Sequence, residues 1–356
     1  MSSLLLREHA AGRPTDVAGI VTWFGAMQAQ DIASGMWSLG VRLPGWGHAD
    51  VQAALDRLEA IRTWPMRGTI HFVPPRDAHW MLDLMGVRPL AAAAARRATV
   101  GLSLEEANRG VEVLGAALAE RGRLTRGECL KAFADGGVAA DGQRGYHLLW
   151  YASQLGVSCI AAHVGTEQTF MLLDDVAPDP NRPDRDEALG IIALRYFRSH
   201  GPTTRKDFVG WTGLTATDAK RGIAVAGDDL TTVGVDDVEM IVDPALLGTA
   251  PPDEPVDDIR VLPGFDEYLL GFKDRAMMVD AAHRQAIIPG NNGVFRSTVV
   301  RAGRVIATWK RTLTKRNTVV DVSPLVPLTA ADRSRIESAL QPYADFIGLP
   351  PLVRWD

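Results

Sequence analysis

Two stretches, "ERGRLTRGECLKAF" (residues 120–133) and "SHGPTTRKDFVGW" (residues 199–211), share Gly, Thr and Arg at an offset of 79 positions. A helical periodicity precedes each stretch. In each, a threonine, Thr125 or Thr204, is followed three positions later by an acid, Glu128 or Asp207. A threonine hydroxyl accepts the free N–H groups of a first helical turn, and the acid completes a capping box. Each repeat therefore predicts a helix, a turn and a second helix that begins at the threonine.

Both repeats continue in the same way. A third helical stretch follows, "GQRGYHLLWYASQLG" or "TATDAKRGIAVAG", and then a β-rich run, "VSCIAAHVGTEQTFMLLDD" or "TTVGVDDVEMIVDP". Three helices and a hairpin are the elements of a winged helix. The segments "TEQTF" and "VGVDDVEM" are the predicted wing tips.

The N-terminal block has the same ingredients. Apolar residues recur at spacings of three and four in residues 15–31 and 48–61, which predicts two helices. "TWPMRGTIHFVPP" (63–75) predicts two short strands that turn at Gly68, and "PRDAHWMLDLM" (75–85) predicts another helix. The chain is therefore expected to hold three winged-helix units in tandem.

The segment "GTAPPDEPVDD" (248–258) predicts a boundary, because its prolines and acids interrupt regular structure. Beyond it, "VFRSTVVRAGRVIATWKR" (294–311) alternates like a strand pair that turns at Ala302–Gly303, and residues 329–348 predict one amphipathic helix capped by Thr329. The predicted fold class is α+β: winged-helix units at 1–100, 101–180 and 181–250, then a β-rich half-barrel module with a closing helix at 251–356.

The composition limits the classes of protein to which this chain can belong. The chain has 356 residues, 46% hydrophobic and 23% charged, as ordinary globular proteins do. Its two cysteines, Cys129 and Cys159, are too few for a disulfide framework and lack metal-ligand spacing. With no signal-peptide pattern and no apolar run of about 18 residues, we expect a cytoplasmic protein without a membrane partner. No phosphate-binding glycine motif occurs, so we predict no nucleotide cofactor and no metal.

The net charge of −5 hides an asymmetry. Residues 225–258 hold ten acids and no Lys or Arg, whereas residues 260–318 hold eleven Lys or Arg against four acids. A basic segment in an acidic protein is typical of a phosphate-binding face. A solvated sheet face is the alternative.

Four segments together resemble the AlkZ/YcaQ family of bacterial winged-helix DNA glycosylases: "AMQAQDIASGMW", "RTWPMRGTIHFVPPRDAHWML", "LPGFDEYLLGFKDR" and "IIPGNNGVFRSTVVRAGRVIATWKR". The resemblance covers nearly the whole chain, in the family's order. The family's catalytic signature is Gln, an apolar residue, then Gln or Asp, and Gln28-Ala29-Gln30 matches the AlkZ form. Asp31 stands one position beyond the signature. The resemblance implies removal of bulky or cross-linking N7-alkylguanine adducts from double-stranded DNA, and in antibiotic-producing actinobacteria self-resistance to alkylating natural products.

The chemistry explains why two neutral amides suffice. Alkylation at N7 makes guanine a cation and a good leaving group, so the reaction needs a positioned water and groups that tolerate positive charge on the sugar. Amide oxygens of Gln28 and Gln30 serve both purposes. On a regular helix, residues two apart point about 200° from each other, so we expect the helix to end near Gln28. The alternative is that both amides only bond backbone at a helix–loop joint.

Candidate DNA contacts follow from the same segments. Asn291, Asn292 and Arg296 are predicted at the mouth of a hairpin that probes the minor groove, or else in an ordinary Asn-Gly turn. Lys310 and Arg311, with Lys315 and Arg316, are predicted phosphate contacts or a solvated strand edge. Arg67 and His71 are predicted on one strand face, with a DNA role or as a satisfied core pair. Trp64 and Trp309 are candidates for stacking on DNA.

The predicted function is therefore a DNA glycosylase, and no lysine stands beside the signature to support a lyase step. We expect a monomer, because three DNA-binding units in one chain need no partner. The small residues around Ala29 predict an open cleft that accepts a large adduct. The alternative function is a non-catalytic winged-helix regulator that binds DNA or a drug, which would have no need of Gln28-Ala29-Gln30.

Overall fold

The computed structural model describes residues 1–7, 13–248 and 258–356, without the side chain of Asn291. Most of the predicted linker at 248–258 lies outside these ranges. The chain divides into two compact units, each made of separate segments. Unit 1 comprises Met1–Ala53, Leu194–Trp211 and Ala226–Asp356, and unit 2 comprises Ala54–Ala193 and Thr212–Val225.

Groups of helices are interspersed with short groups of strands in the described chain. Up to residue 180 they are α1 (Val17–Phe24), β1 (Met27–Gln28), α2 (Ile32–Gly40), α3 (His48–Asp56), β2 (Ile61–Met66), β3 (Thr69–Val73), α4 (Ala78–Met85), α5 (Val87–Thr99), α6 (Leu104–Arg121), β4 (Arg123–Thr125), α7 (Arg126–Asp135), α8 (Gln143–Gln154), β5 (Ser158–Val164), β6 (Glu167–Leu172) and α9 (Leu173–Val176). Beyond it they are α10 (Arg185–His200), α11 (Arg205–Thr212), α12 (Ala216–Ala226), β7 (Thr231–Val235), β8 (Val238–Val242), β9 (Ile259–Leu262), α13 (Glu267–Leu270), α14 (Arg284–Ile287), β10 (Ser297–Arg301), β11 (Arg304–Leu313), β12 (Thr318–Pro324), α15 (Ala330–Ala339), α16 (Gln341–Ile347) and β13 (Pro351–Trp355).

Unit 2 is organised around an antiparallel sheet in which β3, β2, β5, β6 and β4 are neighbours in that order. Helices α4 and α8 pack against β2, and α6 packs against α7 and α8. The β2–β3 turn is Arg67–Gly68, with φ of 53° and 68°. Positive φ at both central residues is the hairpin geometry that matches strand twist, so the predicted strand pair around Gly68 is confirmed.

Unit 1 contains a five-stranded sheet in the order β13-β12-β11-β10-β9, antiparallel except for the parallel pair β12–β13. The predicted turn at Ala302–Gly303 joins β10 to β11. Aromatic rings pack beside this sheet. The centre of the Tyr343 ring lies 5.0 Å from that of Trp309 and 5.1 Å from that of Trp37. These contacts bind α2 and α16 to the sheet.

The predicted repeat is present in both copies. Thr125 and Glu128 form a capping box at the start of α7, and Thr204 and Asp207 bond reciprocally at the start of α11. In both copies three helices precede a hairpin, β5–β6 or β7–β8. The mixed helix-and-sheet class and the C-terminal sheet are confirmed, while the division into three winged-helix units stays a prediction.

Three helix predictions are wrong in extent. The first helix ends at Phe24 rather than at residue 31, because Gly25 takes φ +80° and stops it. Helix α3 ends at Asp56, before the strand that begins at Ile61. The closing helix is interrupted between α15 and α16 near Pro342, whose ring lacks the N–H that a continuous helix needs. Strand β13 was not predicted.

The two cysteines are buried thiols, and burial raises the pKa of both Cys129 and Cys159 to about 12. In the described ranges no helix has the length and apolarity to cross a membrane. Among these same residues, no three His, Cys, Asp or Glu side chains are grouped to hold a metal ion.

Candidate active site

The Gln-Ala-Gln signature lies in a short extended link between two helices of unit 1. Asp16 caps α1 through the N–H of Gly19, and Gly25 ends that helix. Met27 and Gln28 are extended, and α2 begins at Ile32. The expected helix end is therefore confirmed, and it lies before both glutamines.

The two glutamines differ in exposure. The Gln28 side chain is 7% exposed, whereas Gln30 is exposed. The Gln30 backbone N–H donates to Gln28 Oε1 at 3.2 Å. This bond holds the Gln28 carboxamide oxygen in place and leaves it a second lone pair. The neighbouring Asp31 carboxylate accepts from the Ser34 hydroxyl at 2.6 Å, at the start of α2.

Glu267, at the start of α13, anchors the link from the far end of the sequence. Its Oε1 accepts the backbone N–H of Gln28 at 3.1 Å. Its Oε2 accepts the indole N–H of Trp211 at 2.9 Å and lies 3.2 Å from His200 Nε2. Glu267 is 1% exposed. A buried carboxylate is tolerated only when it is well hydrogen-bonded, and these contacts meet that need.

Asp266 fixes the helix that follows the signature. It accepts a bidentate pair from Arg42, at 2.7 and 3.0 Å, and the Ser38 hydroxyl at 2.8 Å. It also caps α13 through the N–H of Tyr268 at 2.9 Å. Ser38 lies in the last turn of α2, and Arg42 follows just beyond its end. Two adjacent acids of "FDEYLLG" therefore act together: Glu267 holds the glutamine link itself, and Asp266 holds the helix that follows it.

Sequence reasoning missed Glu267, Asp266, Arg42 and His200 as part of the site. The available signal was the quoted segment "LPGFDEYLLGFKDR" itself, since two adjacent acids in an apolar run need buried partners. The structure adds that Phe265, which precedes these acids, takes a φ of 60°, which is unusual for an aromatic residue and could not be read from the sequence.

The "PGNNG" segment precedes β10 and forms a turn of its own, which is the alternative given for it, and a DNA-probing role of these residues stays a prediction. Pro289–Asn291 is a short 3-10 turn, and the Asn292 side chain accepts the N–H of Val294 at 2.9 Å, which is local turn chemistry. Arg296 is exposed beyond it. A Cβ at Gly264 would lie 2.6 Å from the Phe295 carbonyl and 3.5 Å from the Ser34 hydroxyl. The loop therefore lies beside the start of α2.

Lys310 and Arg311 lie in the middle of β11, the first exposed and the second half-buried. Lys310 lies opposite Asp321 in the antiparallel register of β11 and β12. Burial raises the pKa of Tyr343 to about 12, and the charges of Arg311 and Asp31 act on it in opposite directions. Arg311 is thus an electrostatic neighbour of Tyr343.

Arg67 and His71 contact each other in unit 2. Arg67 lies in the β2–β3 turn rather than on a strand face, so that part of the prediction is wrong. Its Nη2 lies 3.3 Å from Nε2 of the fully buried His71, whose Nδ1 lies 2.8 Å from the Thr69 carbonyl oxygen. Arg67 also lines a cleft of about 520 Å³. Its other lining residues include Arg88, Arg96, Tyr146, His147 and Trp150.

The two candidate stacking tryptophans are buried, so that prediction is wrong. Trp64 is 2% and Trp309 4% exposed. Trp309 donates its indole N–H to the Leu262 carbonyl at 2.9 Å. Their size serves the core, as is usual for tryptophan in a packed sheet.

Comparisons with known proteins extend these observations. A family model described as "DNA glycosylase AlkZ-like" matches residues 21–346. The chain is 28% identical over 295 residues to the interstrand DNA cross-link repair glycosylase of Streptomyces sahachiroi, covering 76% of this chain and 79% of that protein. The solved structure of the Streptomyces sahachiroi DNA glycosylase AlkZ matches with a TM-score of 0.80 and 24% identity, covering 100% of this chain and 97% of that one.

Proposed function

The chain belongs to the AlkZ-like family of DNA glycosylases, and we propose that it hydrolyses the N-glycosidic bond of guanine alkylated at N7, including bulky and cross-linking adducts. The observation that carries the proposal is the geometry of Gln28. Its backbone is held by Glu267 and its carboxamide oxygen by Gln30. This is a preorganised neutral acceptor, suited to a reaction in which the leaving group needs little help.

The electron balance of the reaction fits neutral side chains. When the C1′–N9 bond breaks, its electron pair moves to the base and cancels the positive charge of the alkylated ring. The sugar acquires oxocarbenium character. A water oxygen then bonds to C1′, and its proton passes to solvent. The products are a neutral 7-alkylguanine and an abasic site, and no step requires a general acid.

The proposed role of Gln28 is to orient that water. Its Oε1 uses one lone pair for the Gln30 N–H, and the second can accept a water proton. The amide dipole also turns its negative end toward the cationic sugar. We assign the exposed Gln30 side chain to the same water or to the sugar. Holding the water in this way accelerates the reaction by orienting the nucleophile rather than by taking a proton from it.

Both nearby carboxylates already accept hydrogen bonds from protein donors. Glu267 directs both oxygens to protein partners, and the Asp31 carboxylate accepts from the Ser34 hydroxyl. A carboxamide oxygen is only a weak acceptor, so the positive charge of the alkylated base must itself weaken the glycosidic bond. We therefore propose that only cationic adducts are excised.

The proposed DNA contacts remain those predicted from sequence. In unit 1 they are Asn291, Asn292, Arg296, Lys310 and Arg311. In unit 2 they are Arg67 and, through its contact with Arg67, the buried His71. Arg88 and Arg96, which line the cleft beside Arg67, extend the second group. Arginines interleaved with exposed aromatic residues such as Tyr146, 42% exposed, suit a nucleic-acid surface.

A side-by-side excision series tests the substrate proposal. One duplex would carry, at the same position, a bulky N7-guanine adduct, N7-methylguanine, uracil or 1,N6-ethenoadenine. We expect the bulky adduct to be released at least as fast as N7-methylguanine, and the two neutral lesions not to be released. Efficient release of uracil would contradict the proposed dependence on a cationic leaving group.

We further propose that the enzyme acts as a monomer in the cytoplasm and protects its host against a DNA-alkylating natural product. The family membership and the cross-link repair relative support the protective role, and the monomer rests on the prediction of three DNA-binding units in one chain. Deleting the gene from its host should sensitise the cells to such a product but not to ultraviolet light. Light scattering of the protein–DNA complex would reveal a dimer if the monomer assignment is wrong.

A further inference from the structure

A buried cation without an acidic partner lies in the sheet of unit 2. Arg62, on β2, is 4% exposed. Its Nη2 lies 2.6 Å from His163 Nε2, at the end of β5. Within the described residues no carboxylate is ion-paired with either side chain. Burial lowers the pKa of Arg62 to about 10, yet at neutral pH the guanidinium keeps its charge. An uncompensated buried charge is costly, and an anion relieves that cost.

The contact with Arg62 determines the state of His163. An arginine N–H can only donate, so His163 Nε2 must accept and the imidazole must be neutral. Burial, followed by the charges of Arg62 and Arg123, lowers the pKa of His163 to about 4, which agrees with that geometry. In a neutral imidazole that accepts at Nε2, the proton sits on Nδ1. The half-exposed ring therefore offers an N–H donor.

A second guanidinium adds to the positive field. Arg123, at the start of β4, donates its Nε–H to the Thr169 hydroxyl at 2.9 Å, and its Nη2 donates to the Ala162 carbonyl. Ala162 and His163 lie where the β5–β6 pairing shifts register between Ala161 and Val164. Such a bulge re-aims side chains at the end of a strand.

We propose that Arg62, His163 and Arg123 form a binding site for a phosphate oxyanion near the turn end of the β5–β6 hairpin. Two permanent positive charges and an imidazole N–H present donors, which is the chemistry that recognises phosphate. The phosphate is either a phosphodiester of the DNA backbone or a free phosphate ion. The inference does not depend on which base the enzyme excises.

The first experiment uses the full-length protein and inorganic phosphate. The His163 ring is followed by NMR while phosphate is titrated at constant ionic strength against sodium chloride. We expect a saturable change and a rise of the His163 pKa from about 4 toward its ordinary value, because a bound anion favours the imidazolium. The thermal midpoint should rise with phosphate as well.

Arg62→Met is the informative variant, since it keeps the length of the side chain and removes the buried charge. We expect it to abolish the phosphate-dependent rise in thermal midpoint while leaving the protein folded. Arg109→Met, at an exposed position paired with Glu112, is the control and should respond like the wild type. If Arg62→Met does not fold, Arg123→Met takes its place, because Arg123 is only half-buried.

Undamaged duplex DNA distinguishes the two sources. If the site binds a backbone phosphodiester, Arg62→Met should flatten the slope of log K against log salt by about 0.9. If it binds free phosphate, the slope should stay unchanged while the phosphate effects on the wild type remain. Absence of any response of the wild type to both phosphate and DNA, beyond that of chloride, would overturn the proposal.

Discussion

The backbone N–H of Gln28 donates to the carboxylate of Glu267 at 3.1 Å, joining residues that are 239 positions apart. The Gln-Ala-Gln segment is thus held by a side chain from a distant part of the chain. Glu267 is in turn held by Trp211 and His200. The position of Gln28 therefore depends on contacts that no local sequence window contains.

Replacing either glutamine should slow the chemistry without weakening DNA binding. We expect Gln28→Ala or Gln30→Ala to reduce single-turnover release of an N7-guanine adduct by at least about tenfold, and up to about 10²-fold, as for other lost positioning dipoles. Duplex affinity should change little, because phosphate contacts dominate it. Gln341→Ala, a surface glutamine bonded to Asp345, is the matched control. Wild-type rates in both variants would rule out the water-positioning role.

We infer that Glu267 positions Gln28, and Glu267→Gln tests that role. A carboxamide has one acceptor oxygen, so it cannot serve Gln28, Trp211 and His200 together. We expect unfolding free energy to fall by about 1–3 kcal/mol for the unsatisfied buried donor. The excision rate should fall by about tenfold through misplacement of Gln28.

The rate of Glu267→Gln must be measured well below its thermal midpoint, beside its Kd for duplex DNA. Glu239→Gln, at an exposed position of β8, is the control. A variant that loses stability but excises at the wild-type rate would show that Glu267 is only structural.

The Asp266–Arg42 pair should matter for stability far more than a surface pair. Arg42 is fully buried, so Asp266→Asn leaves its guanidinium opposite a neutral amide. Breaking a buried pair by removing one partner typically costs about 3–5 kcal/mol. The exposed pair Arg109–Glu112 is the comparison, and Glu112→Gln should cost about 0–1 kcal/mol. Urea unfolding of both variants measures the difference, and equal midpoints would contradict it.

The basic strand makes a prediction about salt. If Lys310 and Arg311 contact phosphates, replacing both by alanine should weaken binding to damaged and undamaged duplexes alike. The slope of log K against log salt should flatten by up to about two, at about 0.9 per contact. Lys131→Ala, at an exposed helix position paired with Asp135, should leave the slope unchanged. An unchanged slope in the double variant would make this strand a solvated face.

Local signals predicted much of the fold. Thr125 and Thr204 mark helix starts because a hydroxyl and an acid three residues apart suffice to cap a helix. The Arg67–Gly68 and Ala302–Gly303 turns were found because glycine at a hairpin is a short-range signal. Strand β13 was missed because it pairs with β12 in parallel, so the two strands are not joined by a hairpin turn that the sequence could show.

The site was predictable only in part. Gln28 and Gln30 were proposed through a family resemblance, and a helix end was expected near Gln28 from the geometry that two shared amides need, whereas the helix ends earlier, at Phe24. Glu267 and Arg42 could not be assigned, because their roles arise from partners more than 200 positions away. Periodicity reports which residues are buried, but not which buried acid meets which donor.

The division of unit 1 into separate chain segments has a consequence for synthesis on the ribosome. Gln28 leaves the exit tunnel long before Glu267 exists, with 239 positions between them. At bacterial elongation rates of about 5–20 residues per second, that interval lasts roughly 12 to 50 s. During it the glutamine link lacks its anchor, so the nascent chain is expected to be inactive. Truncated translation products would then carry the signature without the power to cut glycosidic bonds, which spares the genome from stray abasic sites.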